Sequence, residues 1–340
     1  DLLAPGALQG LADAISNEHS PEFLFSDFIE FRHDWTSRCY ESKYGWETYP
    51  AEIDGRQFDA MRAFEPSAAS LNQIFYAPNH VRVWRRDFYE KIGGHDENMA
   101  VCDDQDLVIR TYLAGGRMCH IAKPLYLYRL QQGGGNTYLE HNKLIQERQQ
   151  AVANNYFYQL VTEECRRKNL PMIDLGGGHD SPQGYVSVDL VNGDICADLR
   201  YSFPFADNSV GCVRAYDFLE HIPHCPDSTC RHGEDGSPLC TVGLMNEIYR
   251  VLIPGGWLLS RTPSTDGRGA FQDPTHCSFW NLNSFWYYTR RDQAKYVPGI
   301  QCRAEMPSTG WVASSTSSGR TPARIELPST TSDSVHIKPE

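Results

Sequence analysis

Pro171–Gly178, reading PMIDLGGG, joins a short apolar lead-in, Met172-Ile173, to the acid Asp174 and the glycine run Gly176, Gly177 and Gly178. Glycines in such a turn either let the backbone approach a ligand closely or serve a plain tight turn. The residues downstream favour the ligand. A second strand, Tyr185 to Leu190, carries Asp189 near its end, and a third, Val210 to Ala215, runs on to Asp217. Met245 to Leu252 has helical spacing, Pro254-Gly255-Gly256 is a tight turn, and Trp257 to Arg261 is a further strand. Strand, glycine turn, helix, and strand with a terminal acid, repeated in alternation, predict a doubly wound parallel sheet. Its ligands would sit at the carboxyl ends of the strands, where these acids fall.

The chain has 340 residues with 41% hydrophobic content, enough for two domains with their own cores. Its formal charge of -12, from 31 basic against 43 acidic residues, lacks the basic patch that nucleic-acid binding requires. No apolar run reaches the roughly 18 residues of a membrane span, and the N-terminus lacks a basic-then-apolar signal pattern. A soluble cytoplasmic enzyme is expected. The 11 cysteines are an odd number scattered through a large chain, a pattern of reduced thiols. The opening Asp1-Leu2-Leu3, without an initiator Met, reads as if cut from something longer.

Ahead of the glycine turn, Gly6 to Ile15 predicts a helix after Pro5, and Glu22 to Phe31 an aromatic-rich strand. Trp35 to Ser70 is irregular and is expected to form loops with short helices. Asp103-Asp104-Gln105-Asp106 opens a helix through Leu113, after a Gly-Gly turn and before strand-like Cys119 to Ala122 and Leu125 to Arg129. The ordered segments PGAL, FLFSDF, RRDFYEKIGGHDE, DDQDLVIR, AGG and PLYLYR resemble the later half of family-2 glycosyltransferases, over residues 1–140. That resemblance implies a truncated nucleotide-sugar-binding α/β fold. Asp104 matches the family's catalytic base, with Asp103 and Asp106 flanking it. Asp1 matches the end of the aspartate cluster that holds a divalent metal, Mg or Mn, and the sugar diphosphate. His120 and the turn Gly133 to Thr137 either touch diphosphate or acceptor or form a structural turn. Without the rest of the metal cluster and the nucleotide pocket, this portion is expected not to transfer sugar.

Residues 141–170 have near-helical spacing and are expected to form a linker of one helix, or of two with a break near Asn154-Asn155. From there MIDLGGG, VSVDL, FPFADNSV, AYDFLEHI and NEIYRVLIPGGW resemble class I S-adenosylmethionine-dependent methyltransferases, the domain being placed at 171–302. The resemblance implies a Rossmann-like doubly wound fold and S-adenosylmethionine as cofactor. Asp174 and Gly176 to Gly178 would lie along its methionine and ribose part, and Asp189 would accept from the ribose hydroxyls. Asp198 and Leu199 would sit at the adenine ring, and Asp217 at the methionine end. A carboxylate suits a diol, and a sulfonium tolerates an acidic pocket.

Methyl transfer needs in-line positioning and, for a hydroxyl acceptor, a base. His276, steered by Asp273, is the candidate base in the loop Gly267 to His276; the competing reading is a histidine that holds the loop by hydrogen bonding. The aromatic run from Phe279 to Tyr288 either packs in the core or stacks on a sugar face. An insertion after Pro223 carries Cys225, Cys230, His232 and Cys240, near His221 and His224. These soft ligands could hold zinc, but no tight C-x-x-C knuckle is present, and a surface loop is the favoured expectation. Pro307 to Pro339 is Ser-, Thr- and Pro-rich, so 303–340 is expected to be a disordered or foreign tail that leaves the sheet without its last strands.

Together these readings predict a sugar- or glycan-directed O-methyltransferase fused to the end of a glycosyltransferase. Its expected partners are a small-molecule or glycan acceptor and a nucleotide-sugar donor. Two alternatives stand beside it: a catalytically idle binding or scaffold piece, and an NAD-dependent oxidoreductase. The last is disfavoured because the turn lacks the spaced G-x-G-x-x-G.

Overall fold

The computed structural model describes residues 1–16, 20–42, 45–73, 78–131, 135–227, 230–234, 236–304 and 331–337. They form two compact units, Asp1–Glu163 and Glu164–Glu340.

Unit 1 contains β1 (Leu2–Leu3), α1 (Ala7–Ser16), β2 (Phe23–Phe31), β3 (Ser37–Arg38), β4 (Thr48–Ile53), β5 (Arg56–Met61), α2 (Ala68–Gln73), β6 (Arg82–Trp84), α3 (Arg86–Lys91), α4 (Asp103–Leu113), β7 (Met118–Arg129), α5 (Thr137–Glu140) and most of α6 (Asn142–Arg167). Its sheet runs β1-β7-β2-β5-β4, with β3 and β6 also paired to β2. Every residue of β2 is buried, its acids Asp27 and Glu30 included, because β7 pairs along its whole length and both of its faces are covered. One expectation fails in this unit. The stretch read as loops holds the antiparallel hairpin β4–β5, which turns on Asp54-Gly55, both in the left-handed region (φ 50° and 71°). An Asp-Gly pair between two short runs is the usual chemistry of a two-residue hairpin turn. The linker region is continuous: α6 runs unbroken through Asn154-Asn155.

Unit 2 contains β8 (Met172–Leu175), β9 (Val186–Asp189), β10 (Ile195–Cys196), β11 (Val210–Tyr216), α7 (Thr241–Val251), β12 (Leu252–Pro263), α8 (Trp286–Thr289), α9 (Arg291–Ala294) and β13 (Thr331–Ile337). The sheet order is β10-β9-β8-β11-β12-β13. The first five strands are parallel and β13 is antiparallel to β12. In chain order the five parallel strands stand 3-2-1-4-5, the order of a doubly wound sheet, so its switch point lies between β8 and β11. The core packs α7 residues Met245, Ile248 and Val251 with Ile173, Leu175, Val213, Trp280, Phe285 and Tyr288. Trp280, Phe285 and Tyr288 of the aromatic run are therefore core, while Phe279 and Tyr287 are exposed. Two expectations are corrected. The glycine turn opens only a one-turn helix, Gly178–Asp180, because Ser181 and Pro182 follow within a turn. Residues 331–337, expected to be tail, form the edge strand β13; residues 305–330 lie outside the described set. Among the described residues no helix is long and apolar enough to cross a membrane.

Candidate functional site

The site of unit 2 is built on the carboxyl ends of β8, β9, β11 and β12. In the β8–β11 register Asp174 lies opposite Arg214, so the two side chains meet on one face of the sheet. Asp174 is fully buried, and its Oδ2 accepts from Arg214 Nη1 at 2.6 Å and from Ser181 Oγ at 2.9 Å. Its Oδ1 is buried without a hydrogen-bond partner. A Cβ at Gly177 would stand 2.1 Å from Asp174 Oδ2, and one at Gly176 2.8 Å from the ring of Phe218. Gly177 is thus glycine because a buried carboxylate occupies its side-chain space. Gly176 is glycine because the turn after β8 closes on the residue after Asp217, across the switch point. Asp174 therefore shapes the turn and turns its paired oxygen to Arg214.

Asp189 stands at the end of β9. Its Oδ1 accepts from the Val191 amide at 3.1 Å, and its Oδ2 has no hydrogen bond among the described residues. That Oδ2 lies 3.9 Å from where a Gly178 Cβ would be, so the left-handed Gly178 (φ 51°) and a free carboxylate oxygen line the same opening. Leu190 and Val191, exposed apolar residues directly after it, add a surface suited to a flat ring. Asp198 is clasped by its neighbour: Arg200 Nε reaches Oδ1 at 2.9 Å and Nη2 reaches Oδ2 at 2.7 Å, and this guanidinium holds the carboxyl below its ordinary range. The Leu199 side chain is buried with Ile173, Leu175 and Val188, in the core and not in the crevice. Asp217, left-handed at φ 50°, pairs through Oδ2 with Arg261 Nη2 at 2.7 Å, and its amide donates to the Arg261 carbonyl.

These features suit an adenosyl cofactor: a left-handed glycine with room above it, a carboxylate oxygen free for a diol, and an exposed apolar pair beside that carboxylate. Asp174 Oδ1 adds one unsatisfied buried acceptor beneath the turn.

The loop after β12 comes to lie over the residues after β11. The amides of Cys277 and Ser278 both donate to the Glu220 carbonyl. His276 Nδ1 is 3.1 Å from the Ala270 carbonyl, which can only accept, so that nitrogen carries the proton and Nε2 holds the lone pair. Nε2 faces Glu220 Oε1 at 3.9 Å. Glu220 is buried; its Oε2 accepts from Thr262 Oγ1 at 2.8 Å, its Oε1 has no hydrogen bond, and burial pushes its carboxyl above the usual range. Asp273 does not steer the imidazole. Its Oδ1 holds the Thr275 amide and hydroxyl at 2.7 and 2.6 Å, forming the turn that carries His276. His221 joins the cluster through Thr275 Oγ1 at 3.3 Å and an edge-on approach to the His276 ring. Glu220, His221 and His276 offer donor atoms all within 4.8 Å of one another, a set that could also take a divalent cation. Glu220 was missed because LEHI looks like a helical turn; its burial appears only when the later loop closes over it.

In unit 1, Asp104 lies in the first turn of α4, 37% exposed, and is ion-paired to Arg82. Burial works to raise its carboxyl, but Arg82 outweighs it and holds it below the ordinary range. Asp106 is structural, held by Arg110 Nε at 2.6 Å and by the Tyr156 hydroxyl at 2.8 Å. His120 lies on Phe25, with Nε2 2.7 Å from Asp27 Oδ1 and Nδ1 2.9 Å from Glu65 Oε1, and these carboxylates raise it to about 9. With both nitrogens so engaged, it locks β7 to β2. Asp1 accepts from the Tyr126 hydroxyl and the Arg129 amide, so β7 accounts for its carboxylate. Of the Gly133 to Thr137 turn, Gly133 and Gly134 lie outside the described residues; Asn136 Oδ1 accepts from the Gln131 amide.

No protein-family model matches this chain, and no curated protein does either. Among solved structures it resembles a chain of the complex between the Haloferax volcanii Trm112 methyltransferase activator and a methyltransferase, at 14% identity and TM-score 0.31, covering 59% of this chain and 95% of that one. An S-adenosylmethionine-dependent methyltransferase from Archaeoglobus fulgidus gives 13% identity and TM-score 0.28 over 53% of this chain and 94% of that one. Another from Aquifex aeolicus gives 12% and 0.27 over 52% and 88%. At these scores the likeness is partial, and the functional reading rests on topology and site.

Proposed function

We propose that unit 2 is an S-adenosylmethionine-dependent methyltransferase acting on a hydroxyl of a sugar or glycan. The observation that carries the reading is the pairing, at the carboxyl edge of a 3-2-1-4-5 parallel sheet, of the Gly176–Gly178 turn with the free Oδ2 of Asp189 on the neighbouring strand. When bound, the cofactor supplies an electrophilic methyl group. Asp189 would hold the ribose diol, the turn backbone would carry the methionine side, and Leu190-Val191 would cover the adenine. Asp198 and Leu199 would contribute there through backbone, since their side chains are taken up elsewhere.

His276 Nε2 is the proton acceptor for the attacking hydroxyl. Glu220 Oε1 faces this same Nε2 at 3.9 Å, where its carboxylate form would stabilise the imidazolium, and Thr262 and the Asp273–Thr275 turn hold the pair. Support for a sugar acceptor comes from Phe271 and Phe279, 64% and 41% exposed, whose rings stack 5.2 Å apart on the same loop. Exposed stacked rings suit the apolar face of a pyranose.

For unit 1 the reading is the end of a family-2 glycosyltransferase, with Asp104 as the acceptor's base; Asp1, whose two carboxylate oxygens accept from Tyr126 and Arg129, is not assigned to a metal. The support is the ordered run of motifs and the partial exposure of Asp104. Isothermal titration with S-adenosylmethionine and, separately, NAD tests the reading of unit 2. Heat with the first and none with the second is expected; heat only with NAD makes it an oxidoreductase, and heat with neither makes the chain an idle scaffold.

A further inference from the structure

The insertion between β11 and α7 folds four dispersed donors onto one point. Cys225 Sγ lies 3.0 Å from Cys240 Sγ and 3.5 Å from His232 Nδ1, and His232 Nδ1 lies 3.1 Å from Cys240 Sγ. With Cys230 included, all four donor atoms fall within 4.8 Å of one another. A tetrahedral zinc ion with bonds of about 2.3 Å to sulfur and 2.0–2.1 Å to nitrogen places its ligand atoms roughly 3.5–3.8 Å apart, so the two shortest separations here would open by about 0.4–0.8 Å around the ion. We propose that Cys225, Cys230, His232 and Cys240 form a structural Zn(II) site that staples this insertion to the start of α7 and to the turn at Pro298-Gly299.

The histidine is what separates a metal site from a chance cluster of thiols. Its Nε2 is 3.0 Å from the Pro298 carbonyl, which can only accept. The proton is therefore on Nε2, and the Nδ1 lone pair is turned to the sulfurs, the arrangement in which metal-bound imidazoles are fixed by a backbone carbonyl. Two glycines from other segments make room for it. A Cβ at Gly299 would stand 2.3 Å from His232 Cδ2, and one at Gly243 2.2 Å from the His232 carbonyl oxygen. His232 itself is left-handed (φ 54°), which aims the ring inward.

The thiols are likewise suited. Cys240 is the N-cap of α7, where helix amides favour a thiolate. Three sulfurs and one imidazole select zinc over magnesium or calcium, which take oxygen ligands. A Cys225–Cys240 disulfide is the competing chemistry, but 3.0 Å exceeds the roughly 2.05 Å of an S–S bond, and it would give His232 no partner for Nδ1. The ion would convert binding energy into folding energy for a segment that starts after Pro223, two residues beyond His221.

Metal analysis of the full chain purified under reducing conditions should find about one zinc per chain. Cys240→Ser and His232→Ala should lose it, while Cys39→Ser, in unit 1, should keep it. Because those variants could misfold, the wild-type chain is also stripped and titrated with Co(II). Intense visible bands with thiolate charge transfer are expected for a tetrahedral sulfur-rich site. Zinc far below stoichiometry with all thiols reduced, a weak octahedral cobalt spectrum, or a Cys225–Cys240 disulfide found by peptide mass mapping would each overturn the proposal.

Discussion

Replacing Asp189 by alanine separates the functional reading from a merely structural one. One carboxylate oxygen, Oδ1, supports the chain by accepting from the Val191 amide; the other, Oδ2, faces the Gly178 turn without a partner. A hydrogen bond to a charged group contributes about 1.5–3 kcal/mol net, so a diol held by this carboxylate should lose about 3 kcal/mol in Asp189→Ala, roughly a 100-fold rise in Kd. The turn hydrogen bond contributes only about 1 kcal/mol to stability, so the variant should stay folded. Asp189→Asn keeps an acceptor for Val191 and a weaker one for the diol, and should weaken binding by about 10-fold. The assay is calorimetric titration with S-adenosylmethionine, with thermal unfolding of the same samples as the control. A folded Asp189→Ala variant whose Kd rises by less than about 3-fold would refute the assignment of Asp189 to the ribose, and with it the observation on which the methyltransferase reading stands.

Gly177→Ala should destabilise unit 2 by about 3–5 kcal/mol in chemical denaturation, because its Cβ would displace Asp174 Oδ2 from Arg214 and leave a buried charge unpaired; a change under about 1 kcal/mol would show that the turn yields. His276→Ala should lower kcat by about 10²–10⁴-fold with S-adenosylmethionine binding intact, and unchanged transfer would remove it as the base. Glu220→Gln should lower kcat less and alter its pH profile, since the raised carboxyl lies 3.9 Å from the His276 ring; an identical profile would make Glu220 purely structural. His120 has a folded-state value of about 9 against an ordinary 6.5, so its contribution to unit 1, about 3 kcal/mol, is fully present below about pH 6.5 and is lost as pH rises through about 9. Unfolding midpoints followed from pH 6 to pH 10 should fall, and His120→Gln should flatten that fall; an equal slope in both proteins would contradict the His120–Asp27 pairing.

What the sequence made legible is what depends on local pattern. The strands β8, β9 and β11 are short and apolar, and Asp189 is recognisable because it ends the strand next after the glycine turn. The α4 start was marked by its acids, which complement the helix N-terminus. The β4–β5 hairpin was masked by its polar, aromatic composition, although Asp54-Gly55 carried the turn signal. Strand β13 was masked by Ser and Thr, which suit an edge strand as readily as a tail.

What the sequence leaves open for the remaining acids has one physical cause, the partner of a charged or polar side chain. Asp174 looked like a ligand-facing acid until the β8–β11 register set it beside Arg214, 40 positions away, and Asp198 until Arg200 closed on it two positions later. Asp273 looked like the group that orients His276, yet Thr275 takes its oxygen, and the carboxylate that faces the ring is Glu220, delivered by a different strand end. The same rule runs in the opposite direction for the cysteines. Cys225, Cys230, His232 and Cys240 lack the close spacing of a zinc knuckle because the tight turn is supplied by the left-handed His232-Gly233 pair and by glycines 243 and 299 beyond the motif. Residue types in a sequence nominate chemistry; which of them perform it is decided by strand register and by the glycines that let distant segments close.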